Sequence, residues 1–156
     1  MNDEAAKLDE IDRRILRALQ RDASQPQRAL AEAVGLSQNA CWRRLNRLQA
    51  DGVIKGQTIR LDAAELGLPL TVFMMIRTRN HSRAWLESFR REVLAIPQVI
   101  DMYRIAGEYD YILKVVAADM NGFDQVYQRL IARLELENVT SLITMESIAA
   151  GRDIPI

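Results

Sequence analysis

Apolar residues recur along this chain with two different periods. In the first fifty positions they fall every three or four residues: Leu8, Ile11, Ile15, Leu16 and Leu19, then Leu30, Ala31 and Val34, then Cys41, Leu45 and Leu48. Each set lies on one face of a helix. Asp9, with Asp12 three residues on, caps a first helix predicted over about residues 10–21. A second starts near Pro26, suited to the first helical position, and stops at Gly35, the expected left-handed terminator. Ser37 can cap a third, and about three residues between the second and third helices is the tight connection of a helix-turn-helix. After Gly52 the period shortens. Val53-Ile54, a Gly56-Gln57 turn and Ile59-Arg60-Leu61 predict a small hairpin, a wing that sets Lys55 and Arg60 beside phosphates.

From Leu70 onward, strand-like and helix-like stretches alternate. "LTVFMMIRT" (70–78) predicts a strand, and Ser82 caps a helix whose stripe is Trp85, Leu86, Phe89, Val93 and Ile96, ending at Pro97. "VIDMYRI" (99–105) and "YILKVV" (111–116) are strands joined across residues 106–110. Phe123, Val126, Tyr127, Leu130, Ile131 and Leu134 mark another helix, and "SLITMESI" (141–148) a last strand. The predicted fold class is α+β. A winged helix-turn-helix over residues 1–62 precedes a ferredoxin-like βαββαβ domain over residues 63–156, with an antiparallel sheet and both helices on one face. Phe73 and Met75 fall on the other face of the first strand, where such a sheet would meet water. Cover by the same face of a second copy predicts a two-fold homodimer; scattered surface apolars, normal singly, are the alternative.

Composition narrows the function classes. Of 156 residues, 49% are hydrophobic and 27% charged, a globular balance. The longest apolar run, Val72 to Ile76, is far short of the ~20 residues of a membrane span, and "MNDEAAKLDE" lacks the basic and apolar regions of a signal peptide, so the expected location is cytoplasmic, with no membrane partner. A single cysteine, Cys41, excludes an internal disulfide and multi-thiolate metal or iron-sulfur sites. Within the Leu45/Leu48 stripe it reads as a small buried hydrophobe rather than a thiol sensor. One histidine, His81, no phosphate loop and no metal-ligand spacing predict no catalytic residues, no metal, no cofactor and no enzyme.

The formal net charge of zero hides an asymmetry: residues 1–60 carry eleven Lys/Arg against eight Asp/Glu. Placement gives that excess meaning. On the third helix, Asn39, Trp42, Arg43, Asn46 and Arg47 project away from the apolar stripe, with Gln38 at the edge and Ser37 at the cap. Arg can bond guanine bidentately, and Asn or Gln adenine, from a major groove wide enough for a helix. The partner expected for Ser37, Gln38, Asn39, Trp42, Arg43, Asn46 and Arg47 is therefore double-stranded DNA, and a dimer would present two such helices to a palindromic site. A solvated helix with a few arginines is the bland alternative; Trp42 could equally touch DNA or cover the junction between helices.

These residues resemble the Lrp/AsnC (leucine-responsive/asparagine-type) family of transcriptional regulators over nearly the whole chain. The resemblance rests on "LDEIDRRILRALQRDAS", "LAEAVGLSQNACWRRLNRLQADGVI" and "IAGEYDYILKVVAADM". Within the family, "ACWRRLNRLQADGVI", "AGEYDYILKVVAADM" and "DIPI" look most like a branch of cysteine-responsive regulators of cysteine desulfidation. The resemblance implies amino-acid sensing, dimers that assemble further, often to octamers, and an effector bound between dimers near a Gly-x-Tyr-Asp loop. Carried onto this chain, the effector residues are Gly107, Tyr109 and Asp110, with Met120, Leu142, Ile143 and Thr144 matching positions that affect effector response. Glu108 and Asp110 are chemically able to accept hydrogen bonds from an α-ammonium, and Gly107 allows close backbone approach; an ordinary solvated connection is the alternative. A second function class stays open: an amino-acid-binding module whose helical domain contacts a protein partner.

Overall fold

The computed structural model describes residues 7–156; the first six positions of the predicted 1–62 domain lie outside the described residues. Contacts divide the chain into two compact units, Met1–Arg60 with Ala149–Ile156, and Leu61–Ile148.

In the first unit, α1 (Glu10–Arg21) begins with a reciprocal capping box: Asp9 accepts from the Asp12 N–H at 2.8 Å while Asp12 accepts from the Asp9 N–H at 3.1 Å. Helix α2 (Gln27–Val34) takes Pro26 as its N-cap and ends at Gly35, φ 73°, a left-handed position that a Cβ would strain. Ser37 caps α3 (Gln38–Ala50) by accepting from the Ala40 N–H. Ile15, Leu16, Leu30, Ala31, Val34, Cys41 and Leu48 close a core between the three helices, with Val53 and Ile54 against it.

The predicted wing hairpin does not form. Residues 53–62 contain no strand, and 55–62 are exposed throughout, Ile59 and Leu61 included. A two-stranded ribbon with no covered apolar face is marginal by itself, and Ile59 and Leu61 have none here. The tail 149–156, assigned by its position in sequence to the second domain, clusters instead with the first unit. Gln20 of α1 clamps it: its amide donates to the Ile154 carbonyl at 3.0 Å and accepts from the Ile154 N–H at 2.7 Å. Ile156 packs against the helical core.

The second unit is a four-stranded antiparallel sheet in the order β2-β3-β1-β4, formed by β1 (Leu70–Arg77), β2 (Val99–Arg104), β3 (Tyr111–Ala117) and β4 (Asn138–Ile143). Helices α4 (Arg83–Leu94) and α5 (Met120–Arg133) supply Phe89, Val93, Phe123, Val126 and Leu130 to a core shared with Val72, Met74, Ile76, Leu113 and Val115. This is the expected βαββαβ plan, except that β4 starts three residues before and ends five residues before the predicted 141–148. Its pairing with β1 runs from Arg77↔Asn138 to Val72↔Ile143, and the Thr144 N–H makes one more bond to Thr71. Beyond that β1 offers no partner, so Met145 and Ile148, which mimic a strand pattern, are left exposed.

Leu113, fully buried at the centre of the sheet, sets the stability scale. Leu113→Ala is expected to destabilise the second unit by about 2–5 kcal/mol, whereas Met145→Ala, fully exposed, should stay within about 0.5 kcal/mol. Urea unfolding of the two variants beside the parent checks this.

Candidate nucleic-acid and effector sites

On α3 the inner face is fixed by Cys41 and Leu48, both fully buried. Burial pushes the Cys41 thiol pKa up, which disfavours the thiolate and leaves a small inert hydrophobe. Gln38, Asn39, Trp42, Arg43 and Asn46 are exposed, Trp42 by 55%, and Ser37 is spent on the cap. The exposed side of this helix thus carries amide, guanidinium and indole groups together. Among the described residues Arg43 forms no salt bridge.

Arg47 keeps 47% of its side chain exposed and is also engaged within the unit. Its guanidinium turns towards α1 and pairs with Asp12, as does that of Arg44, at 2.8 Å to Asp12 and 2.6 Å to Asp9. Arg44 and Arg47 also border a depression of about 380 Å³ with Leu36, Ala40 and Arg43. The Asp9 carboxyl is held below its ordinary pKa, chiefly by the Asp12 N–H and then by the Arg44 guanidinium.

In the second unit the predicted effector residues fall into two groups. Gly107, Tyr109 and Asp110 lie in the β2–β3 connection. Gly107 has φ 137° with open space where a Cβ would stand. The other two are tied inward: the Tyr109 hydroxyl meets Thr140 Oγ1 at 3.0 Å, and Asp110 Oδ2 accepts from the Thr78 N–H at 2.8 Å. The second group lies near the opposite end of the sheet. Met120 opens α5 just after β3, Leu142 and Ile143 pair with Phe73 and Val72, and Thr144 follows. The Tyr109–Thr140 contact brings the first group within two strand residues of Leu142, while Gly107 and Met120 lie towards opposite ends of the sheet.

Beside the first group is a polar depression of about 380 Å³ that sequence reasoning missed, lined by Arg79, Asn80, Glu135, Leu136 and Glu137. Glu137 takes Arg79 at 3.0 Å and Arg77 at 3.4 Å. Nothing local signals it, because it is made by the β1–β4 pairing of segments sixty residues apart in sequence.

The predicted second sheet face is also present. Val72, Met74 and Ile76 face the helices, while Phe73 and Met75 share the opposite face with Ile112, Tyr103 and Leu142, the last two exposed. No helix among the described residues is long and apolar enough to cross a membrane.

Comparison with known proteins gives this geometry its context. Residues 71–154 match the family model described as the Lrp/AsnC ligand binding domain, and residues 8–55 match a winged helix-turn-helix DNA-binding model. The chain is 43% identical over 150 residues to the DNA-binding transcriptional activator DecR of Escherichia coli K12, covering 96% of this chain and 99% of that one. It is equally similar, at 43% over 150 residues, to the glutamate uptake regulatory protein of Zymomonas mobilis, covering 96% and 92%. Among solved structures, an AsnC family transcriptional regulator from Agrobacterium tumefaciens superposes with a TM-score of 0.90 at 40% identity, covering 95% and 97%. A transcriptional regulator from Neisseria meningitidis in complex with L-Met superposes at 0.88 with 28% identity, covering 96% and 97%.

Two measurements check the geometry. The stability that Asp9 contributes through its depressed pKa is fully present above its ordinary value of 3.8 and is lost as the pH falls through the folded-state value. The stability difference between the parent and Asp9→Asn should therefore be largest above that value and shrink below it in urea titrations. Asp110→Ala leaves the buried Thr78 N–H without its acceptor and is expected to cost about 1–3 kcal/mol by the same assay, with no effector present.

Proposed function

The chain belongs to the Lrp/AsnC family of transcriptional regulators, and from that premise we propose that α3 reads duplex DNA through Asn39, Trp42, Arg43 and Asn46, with Ser37 and Gln38 at its start. It is a DNA-binding transcriptional regulator with an amino-acid ligand-binding domain. The observation that carries the assignment of the reading residues is the division of α3 into two faces. One side is locked in the helical core by Cys41 and Leu48, and the other leaves side chains of base-reading chemistry exposed.

The effector is a small amino acid. Zwitterion recognition needs a cation for the carboxylate and an anion for the ammonium; the depression beside Gly107, Tyr109 and Asp110 offers Glu135 for the ammonium and the exposed Arg79, whose departure would leave Glu137 to Arg77, for the carboxylate. Met120, Ile143 and Thr144 lie towards the far end of the same sheet, and another copy of the chain would bring them to that group. Assembly therefore belongs to the function. The face bearing Phe73, Met75, Ile112 and Leu142 meets its counterpart in a two-fold dimer, and dimers associate further, an octamer being one closed arrangement. An effector at such a junction shifts the assembly by binding one arrangement better than another. Cysteine is the first effector to test, on the resemblance of "AGEYDYILKVVAADM" and "DIPI" to cysteine-responsive members, and methionine the second, because the Neisseria relative holds L-Met.

The test is fluorescence anisotropy of the protein on DNA from upstream of its own gene and its neighbours, against unrelated DNA, with and without each amino acid. Preferred, salt-sensitive binding to one fragment that changes with one amino acid is the expected result. Arg43→Ala with Asn46→Ala should weaken that binding at least about tenfold while leaving the oligomer intact. Unchanged DNA affinity in this double variant would transfer the helical domain to a protein partner. Sedimentation at micromolar concentration should give at least twice the 17.8 kDa chain mass; a 17.8 kDa species alone would remove the dimer.

A further inference from the structure

The flank of α3 nearest α1 carries Arg44 and Arg47, and both guanidiniums converge on one carboxylate. Arg44 Nη1 donates to Asp12 Oδ1 at 2.8 Å and to Asp9 Oδ2 at 2.6 Å, and Arg47 Nη2 donates to Asp12 Oδ2. Asp12 Oδ2 also accepts from the Asp9 N–H at 3.1 Å. The Asp12 side chain has 0% exposure, so each of its oxygens is held by a different arginine of the same helix. A carboxylate removed from water is tolerated only while such partners stay in place.

We propose that Asp12, with Asp9 beside it, is the positioning group of the DNA-reading helix, and that Arg44 and Arg47 are withheld from DNA to serve it. The inference rests on the reading of α3 as the DNA-contacting element. Arg44 and Arg47 lie three residues apart, about 4.5 Å along the helix axis. Two anchors at that separation fix both the rotation and the slide of α3 against α1. The apolar contacts beneath, Cys41 and Leu48, pack closely but carry no directional hydrogen bond. Charge-assisted hydrogen bonds from planar guanidiniums supply the missing direction. With α3 held so, Asn39, Trp42, Arg43 and Asn46 face outward together. Arg47 lies on the edge of that face, and its charge is already matched by the buried carboxylate rather than offered to a phosphate.

This division of labour has a signature that loss of folding lacks. Asp12→Asn keeps the side-chain shape and removes the charge, which releases Arg47 and loosens Arg44. Released arginines bind phosphate wherever they meet it. Non-specific affinity should rise, and the slope of log affinity against log salt should steepen by about 0.9 for each arginine released. The preference for a chosen sequence should fall about tenfold, the scale of one lost base contact. General unfolding would instead weaken both kinds of binding in parallel.

The experiment uses the full chain and a duplex enriched from a random pool by the unsubstituted protein, with a scrambled duplex as control, both titrated across a range of salt. Asp12→Asn should lose preference, gain scrambled-duplex affinity and steepen the slope. Arg43→Gln, the loss of a base contact, should lower the preference for the enriched duplex, while Arg47→Gln leaves the slope unchanged even where it weakens binding; an arginine that met a phosphate would lower the slope by about 0.9. The proposal is overturned by an Asp12→Asn variant that matches the parent, by one that loses both affinities in parallel while keeping its helical signal, or by an Arg47→Gln slope that drops by about 0.9. If Asp12→Asn does not fold, the Arg47→Gln slope decides. Should the unsubstituted protein enrich no duplex, the DNA reading itself fails before any variant is compared, and this inference falls with it.

Discussion

Strand β1 is hydrogen-bonded on both edges and covered by helices on one face only, and most of the second unit follows from that imbalance. Bonded to β3 on one side and β4 on the other, it has no free edge, so its backbone demands are met within the chain. Its side chains are not served equally. Val72, Met74 and Ile76 are fully buried beneath α4 and α5, which makes this the rigid floor of the domain. Phe73 and Met75 look the other way. Phe73, Met75, Ile112 and Leu142 share this face with Lys114, and in the proposed dimer an identical face covers it.

The same floor distributes the sensing chemistry. Because β1 and β3 are antiparallel, the β2–β3 loop and the start of β4 fall at one end of the sheet, while the start of α5 and the end of β4 fall at the other. Gly107 and Met120 are therefore held towards opposite ends of the sheet. Between chains that separation can close. On the proposed reading, an amino acid bound there acts on assembly.

In the first unit, the corresponding constraint is electrostatic rather than apolar. Three short helices with one small core between them provide little directional information, and the buried Asp12 supplies it through Arg44 and Arg47. Such a carboxylate is weak evidence of stability, since desolvation opposes the pairing, but it specifies one arrangement over its neighbours. The tail clamped by Gln20 adds a second directional contact on the far end of α1, formed across 134 residues of sequence.

What the sequence alone determined was everything that depends on near neighbours. Asp9, Ser37 and Ser82 announced helix starts, Gly35 a helix stop, and the two apolar periods the helix and strand faces, because caps and periodicity act over three or four residues. The family was legible for the same reason, as runs of adjacent residues. Tertiary structure decided the rest. β4 started three and ended five residues before its apparent pattern because its register is set by pairing with β1. Residues 53–62 formed no strand, and residues 149–156 met α1. Arg47 lay on the polar side of its helix by angle, yet was claimed by a carboxylate 35 residues away. No local pattern carries such choices: a strand's register and a charge's partner depend on which distant segments compete for the same atoms, and only the folded chain brings the competitors together.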